Sequence, residues 1–119
     1  MENGKGAIAQ NLQNGIGFGS TEFHVLRPIE GKSNPYWLYT ITSFKQFRVD
    51  AQANMTGSAG QRRVPASYLE SYKIALPPIE LQDQFASFCK YVRKQKLTIQ
   101  RSLDKLEVLK KSLMQEFFG

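Results

Sequence analysis

Pro77-Pro78-Ile79-Glu80-Leu81-Gln82 opens the stretch that decides the fold, and residues 79–117 (IELQDQFASFCKYVRKQKLTIQRSLDKLEVLKKSLMQEF) continue it without a glycine or a proline. Along it, apolar side chains recur at Leu81, Phe85, Phe88, Val92, Ile99, Leu103, Leu106, Leu109 or Leu113, and Phe117. The steps alternate mainly between three and four, with Gln95 as a polar break and a slip near Leu103, which is the seam of a coiled coil of about five heptads. A helix of that length spans roughly 58 Å at about 1.5 Å per residue. It is too long to bury its stripe against the residues that precede it. It predicts a partner helix, held by Val92, Ile99, Leu103, Leu106 and Leu113.

Working back from the two prolines, the globular part must come from residues 1–76, and the helical assembly region from 77–119. Residues 1–21 are rich in Gly, Asn, Gln and Ser around a short apolar patch at Ala7 to Ala9, which predicts loops around a brief strand. Glu22 to Ile29 alternates as a strand closed by Pro28. Asn34-Pro35 predicts a helix start, and PYWLYTITSFKQF from Pro35 to Phe47 places Trp37, Ile41, Phe44 and Phe47 toward a core. Residues 54–63 (NMTGSAGQRR) form a loop, Tyr68 to Leu69 one helical turn, and Tyr72 to Leu76 a strand. The expected class is therefore α+β: a small mixed α/β domain followed by one long coiled-coil-forming helix.

The chain of 119 residues carries 16 Lys and Arg against 10 Asp and Glu, a balance of +6 that favours nucleic acid or another anionic surface. Each side of position 78 holds eight basic and five acidic residues, so the excess is not confined to one part. Within residues 45–63, however, Lys45, Arg48, Arg62 and Arg63 stand against Asp50 alone. The single Cys89 excludes an internal disulfide and fits a reducing cytoplasm. One Cys and one His make no metal site without a carboxylate cluster, and no cofactor motif is visible, so neither a metal nor a cofactor is expected. The N-terminus lacks the apolar run of a signal peptide, and no segment is apolar enough to span a membrane.

The loop around Gly57 and Gly60 is the most informative segment chemically. Its glycines permit positive φ and close backbone approach, Thr56, Ser58 and Gln61 supply neutral hydrogen-bonding groups, and Arg62 and Arg63 supply charge. Two readings stand beside each other: a surface for phosphate or base edges, and a solvated loop with incidental arginines. His24 lacks an oriented partner and is read as structural, Cys89 as a packing residue, and Trp37 as core. Tyr36 and Tyr39 are open to either packing or base stacking. The charges Lys90, Arg93, Lys94, Lys96 and Arg101 are most simply a solvated helical face, with contact of some of them to phosphate as the second reading.

Three runs taken together resemble the ordered landmarks of type I restriction-modification specificity subunits. They are Gly15-Ile16-Gly17-Phe18-Gly19-Ser20-Thr21-Glu22-Phe23-His24-Val25-Leu26-Arg27-Pro28, Asn54-Met55-Thr56-Gly57-Ser58-Ala59-Gly60-Gln61-Arg62-Arg63-Val64-Pro65, and Ile74-Ala75-Leu76-Pro77-Pro78-Ile79-Glu80-Leu81-Gln82. The resemblance implies the later part of a target recognition domain that binds double-stranded DNA, and a conserved helix that pairs with a second recognition domain or a second copy. It also implies no catalysis by this chain, the chemistry residing in methyltransferase (modification) and restriction subunits. On this reading the charge and hydrogen-bonding groups of the loop and its flank, Lys45, Arg48, Thr56, Ser58, Gln61, Arg62 and Arg63, are the expected DNA contacts. The other reading is an assembly module that docks on a methyltransferase subunit through its helix without binding DNA.

Overall fold

The computed structural model describes residues 5–119, in which four α-helices follow a short 3-10 turn at Gln13–Gly15. The helices are α1 (Pro35–Ser43), α2 (Lys45–Ala53), α3 (Ala66–Ser71) and α4 (Ile79–Phe118). Met1–Gly4, the start of the expected N-terminal loop region, lie outside the described residues. The chain divides into two compact units, Met1–Phe85 and Ala86–Gly119, so residues 79–85 of α4 belong to the first.

The expected start of α1 is realised atom by atom. Asn34 is extended and its side chain accepts from the Tyr36 N–H at 2.8 Å, while Pro35 occupies the first helical turn, where its missing donor costs nothing. The single helix expected over Pro35 to Phe47 is instead two. Phe44 turns extended (φ −65, ψ 140), α1 stops at Ser43, and α2 runs on to Ala53, beyond the expected end. The reason lies in the last turn of α1. Thr40, Thr42 and Ser43 return their hydroxyls to the carbonyls of Tyr36 and Tyr39 at 2.7–2.9 Å, competing with the helical ladder where it must end. Phe44 accordingly leaves the core and is exposed, whereas Phe47 and Ala51, one turn apart on α2, are buried.

The α+β expectation is not met. Among the described residues the one β interaction is an isolated antiparallel bridge between Thr56 and Arg63. The stretches expected as strands, Ala7 to Ala9, Glu22 to Ile29 and Tyr72 to Leu76, belong to no strand. Alternation reports which residues favour extended backbone, but a strand exists only when a neighbour accepts its ladder. Here no neighbour lies alongside, and Phe23, Val25, Leu26 and Ile29 are left exposed.

What replaces a sheet is a set of side-chain fastenings. The Phe47 and Tyr72 rings meet edge to face with centroids 5.0 Å apart, and Tyr68 stands 5.7 Å from Tyr72. Trp37 packs edge to face on Phe85 at 5.5 Å and donates its indole N–H to the Ala75 carbonyl at 3.0 Å, but it is half-buried, at the edge of the core and not within it. Among the described residues, the only fully buried side chain of any size is a polar one, Gln82. Its amide donates to the carbonyls of Lys32 (2.9 Å) and Pro77 (2.7 Å), and its oxygen accepts the Asn34 N–H at 2.9 Å. Asn34 also donates from its side chain to Asp83 at 2.9 Å. One glutamine therefore ties the cap of α1, the turn before it and the proline step into α4.

Asp50 makes the fold sensitive to alkali. Tyr72 donates its hydroxyl to the Asp50 carboxylate at 3.2 Å. Burial first, then the hydrogen bond and the negative charge of Asp50, raise the Tyr72 pKa above 10.0; burial and Asp50 raise that of Tyr68 likewise. The folded chain thus keeps protons that the unfolded chain releases. The associated stability is complete below pH 10 and falls as pH climbs through the raised folded values. Denaturation followed from neutral to alkaline pH is expected to show this loss, with a shallower slope for Tyr72→Phe. Equal slopes in both proteins would remove the tyrosine from that role.

Candidate nucleic-acid interface

The loop that leaves α2 is built by its backbone. Asn54 closes the helix by donating its side-chain amide to the Asp50 carbonyl at 2.8 Å. Two residues later, Thr56 and Arg63 exchange both main-chain hydrogen bonds, at 2.7 and 2.8 Å, which pinches residues 57–62 into a closed excursion. Inside it the Gln61 N–H donates to the Ser58 carbonyl at 3.0 Å, forming a tight turn whose third residue, Gly60, has φ +86. A type II turn asks for positive φ at that position. Gly57 is needed twice over: its φ is +111, and a Cβ there would sit 2.7 Å from the Gln61 carbonyl oxygen.

The base of this loop is clamped by the stretch Glu22 to His24. His24 donates from Nε2 to the Val64 carbonyl at 2.8 Å, and Val64 itself is buried. Glu22 pairs with the Arg63 guanidinium, both side chains being more than half exposed, so the pair contributes at most ~1 kcal/mol. The first two sequence landmarks therefore meet in space, and His24 serves as a structural hydrogen-bond donor.

The structure gathers Thr56, Ser58, Gln61, Arg62 and Arg63 into this one excursion. All five are exposed. Arg62 forms no ion pair among the described residues, whereas Arg63 is shared with Glu22. Lys45 and Arg48 lie elsewhere, at the start of α2 and one turn on, and among the described residues share no ion pair with the loop. Lys45 is exposed; Arg48 is partly covered, and its Nε is buried without a partner. Asp50, the acidic residue of this region, is occupied by Gln46 and Tyr72.

In the second unit the expected seam residues share one face of α4. At about 100° per residue, Val92, Ile99, Leu103, Leu106 and Leu113 fall within roughly 80° of arc. Ile99, Leu103, Leu106 and Leu113 are exposed, and Val92 is half-buried. Cys89 is a half-buried free thiol. Among the described residues there is no cluster of three or more His, Cys, Asp or Glu able to hold a metal ion, and no helix long and apolar enough to cross a membrane.

Sequence reasoning missed Gln82 as a buried fastener, and Glu22 and His24 as the clamp of the loop. The signal was present only as the position of these residues inside the landmark runs. A glutamine in the first turn of an amphipathic helix gives no chemical hint that three main-chain groups converge on it.

Comparison with known proteins identifies the family. The family described as the type I restriction modification DNA specificity domain matches residues 4–110. The EcoAI specificity subunit of the type I restriction enzyme from Escherichia coli is 38% identical over 96% of this chain, and the EcoEI specificity subunit from the same organism is 35% identical over 96%. The chain spans 20% of the length of each of these relatives. No solved structure matches it significantly. With both loop landmarks joined in space and nearly the whole chain covered by the match, the protein belongs to the family of type I restriction-modification DNA specificity domains.

Proposed function

We propose that this chain contributes to sequence-specific recognition of duplex DNA as a non-catalytic part of a type I specificity subunit, working in the cytoplasm beside modification and restriction subunits. The observation that carries this reading is the closed excursion of residues 57–62. Its backbone is fixed by the Thr56–Arg63 bridge and two glycines, while Ser58, Gln61 and Arg62 stay in solvent. A rigid loop loses little conformational freedom on binding, and Arg and Gln are the side chains that bond bidentately to guanine and adenine edges, a discrimination worth ~1–3 kcal/mol per good pair. Lys45 and Arg48 supply flanking charge to phosphate. The division into a recognition domain over 1–76 and an assembly helix over 77–119 belongs to this proposal.

Salt titration of duplex binding tests it. Each phosphate contact contributes about 0.9 to the slope of log affinity against log salt. Arg62→Ala is expected to lower that slope by about 0.9, and Arg62→Ala with Arg63→Ala by up to ~1.8, with weaker binding throughout. Unchanged affinity and slope in the double variant would take both arginines out of the interface.

The exposed seam of α4 favours a companion role: Val92, Ile99, Leu103, Leu106 and Leu113 hold a helix from a second recognition domain, a second copy or a modification subunit. Were that the chain's whole role, it would assemble normally and show no affinity for duplex DNA.

A further inference from the structure

The charge on α4 is sorted along its length and around its axis. From residue 84 to residue 103 the helix carries Lys90, Arg93, Lys94, Lys96 and Arg101 and not one carboxylate; beyond it, Asp104, Glu107 and Glu116 mix with Lys105, Lys110 and Lys111. Around the axis, at about 100° per residue, Lys90, Arg93, Lys94, Arg101 and Lys105 share an arc of roughly 120° centred opposite Ile99 and the apolar seam, with Asp104 the one carboxylate among them, at the end next to Lys105. Arg93, Lys94, Arg101 and Lys105 are exposed and form no ion pair among the described residues.

This sorting has a cost that a solvated face would avoid. Lys90 with Lys94, and Arg101 with Lys105, are like charges four residues apart, each repelling by a few tenths of a kcal/mol. Asp104 can offset part of the second repulsion, but no carboxylate stands between positions 84 and 103 to offset the first.

We propose that this face is a second polyanion-binding surface, a stripe that lies along the sugar-phosphate backbone of duplex DNA while the opposite face of α4 holds its partner helix. Arg93 to Lys105 extends about 18 Å along the axis, and duplex DNA offers one negative charge per ~1.7 Å over such a length. An acidic protein would fit this face less well: between positions 90 and 105 the arc contains one large apolar side chain, Leu97, where protein interfaces centre on desolvated clusters. The contact is to phosphate, so it strengthens binding to any duplex and reads no sequence.

The inference rests on the DNA-binding reading above, and one experiment separates the two. Duplex binding by the 119-residue chain is followed by fluorescence anisotropy over a salt series, with helicity checked by circular dichroism. The variant Arg93→Gln, Lys94→Gln, Arg101→Gln, Lys105→Gln keeps strong helix formers. It is expected to reduce the salt slope by up to about 3.6, equally for specific and random duplexes. The charge-preserving Arg93→Lys, Arg101→Lys is expected to retain it. If the wild-type chain binds and loses affinity with Arg62→Ala while the glutamine variant keeps its full slope, the stripe is overturned and the loop stands. The same holds if the glutamine variant loses a co-purifying acidic protein instead. If the wild-type chain shows no salt-dependent duplex binding, both readings fall.

Discussion

Replacing Gln82 by leucine is expected to cost the first unit about 3 kcal/mol or more, enough to leave a domain with so small a core largely unfolded. Leucine fills the volume but strands three main-chain groups that Gln82 now satisfies: the carbonyls of Lys32 and Pro77 and the N–H of Asn34. A buried group left without a partner costs ~1–3 kcal/mol, and these three bonds are part-buried around a fully buried side chain. Gln82→Glu tests the chemistry separately. A carboxylate keeps the acceptor for Asn34 but turns both donors into acceptors facing carbonyls, so it is expected to be as harmful as leucine. Chemical denaturation monitored by Trp37 fluorescence reports this region, since Trp37 packs on Phe85 one turn along α4 from Gln82. If either variant unfolds within ~0.5 kcal/mol of the wild type, the fastening role assigned to Gln82 is wrong.

The second large effect concerns association. Leu103→Lys with Leu106→Lys is expected to turn an associating chain into a monomer in sedimentation. Each leucine that passes from water into a helix pair contributes ~1.5–3 kcal/mol. In a pair of identical copies four leucines are lost, about 6 kcal/mol or more, a shift of over four orders of magnitude in dissociation constant. Val108→Lys is the internal control. Val108 is as exposed as the seam leucines, at 67%, yet it lies half a turn away from Ile99 on the helix. Its replacement is expected to leave association intact. A wild-type chain that stays monomeric at every concentration, alone and with the modification subunit proposed as a partner, would sink the seam.

How much of this was legible in the sequence depends on how local each signal is. The long helix was read within a residue of its observed end, because uninterrupted helical periodicity from Ile79 needs no tertiary information. The cap at Asn34-Pro35 is equally local. The break at Phe44 was missed because Trp37, Ile41, Phe44 and Phe47 keep helical spacing straight through it, and the hydroxyls that end α1 give only a weak preference. The strands were over-read for the opposite reason: alternation at Phe23 and Val25 is a local fact, whereas pairing is not. The loop was recognised from its glycines and arginines. Its closure by Thr56 and Arg63, and its anchoring by His24, depend on contacts up to 40 residues apart and could not be seen.

The path of residues 57–62 is dictated by main-chain bonds and by Gly57 and Gly60, not by the side chains at its tip. Positions 58, 59, 61 and 62 touch no core, so their identity is almost free of any folding constraint. Such an arrangement works like a cassette with interchangeable type: four letters can be reset, one at a time or together, while the frame that presents them stays put. A library randomised at these four positions should consequently yield mostly folded proteins, and new preferences for what they bind can emerge through single substitutions without first weakening the scaffold.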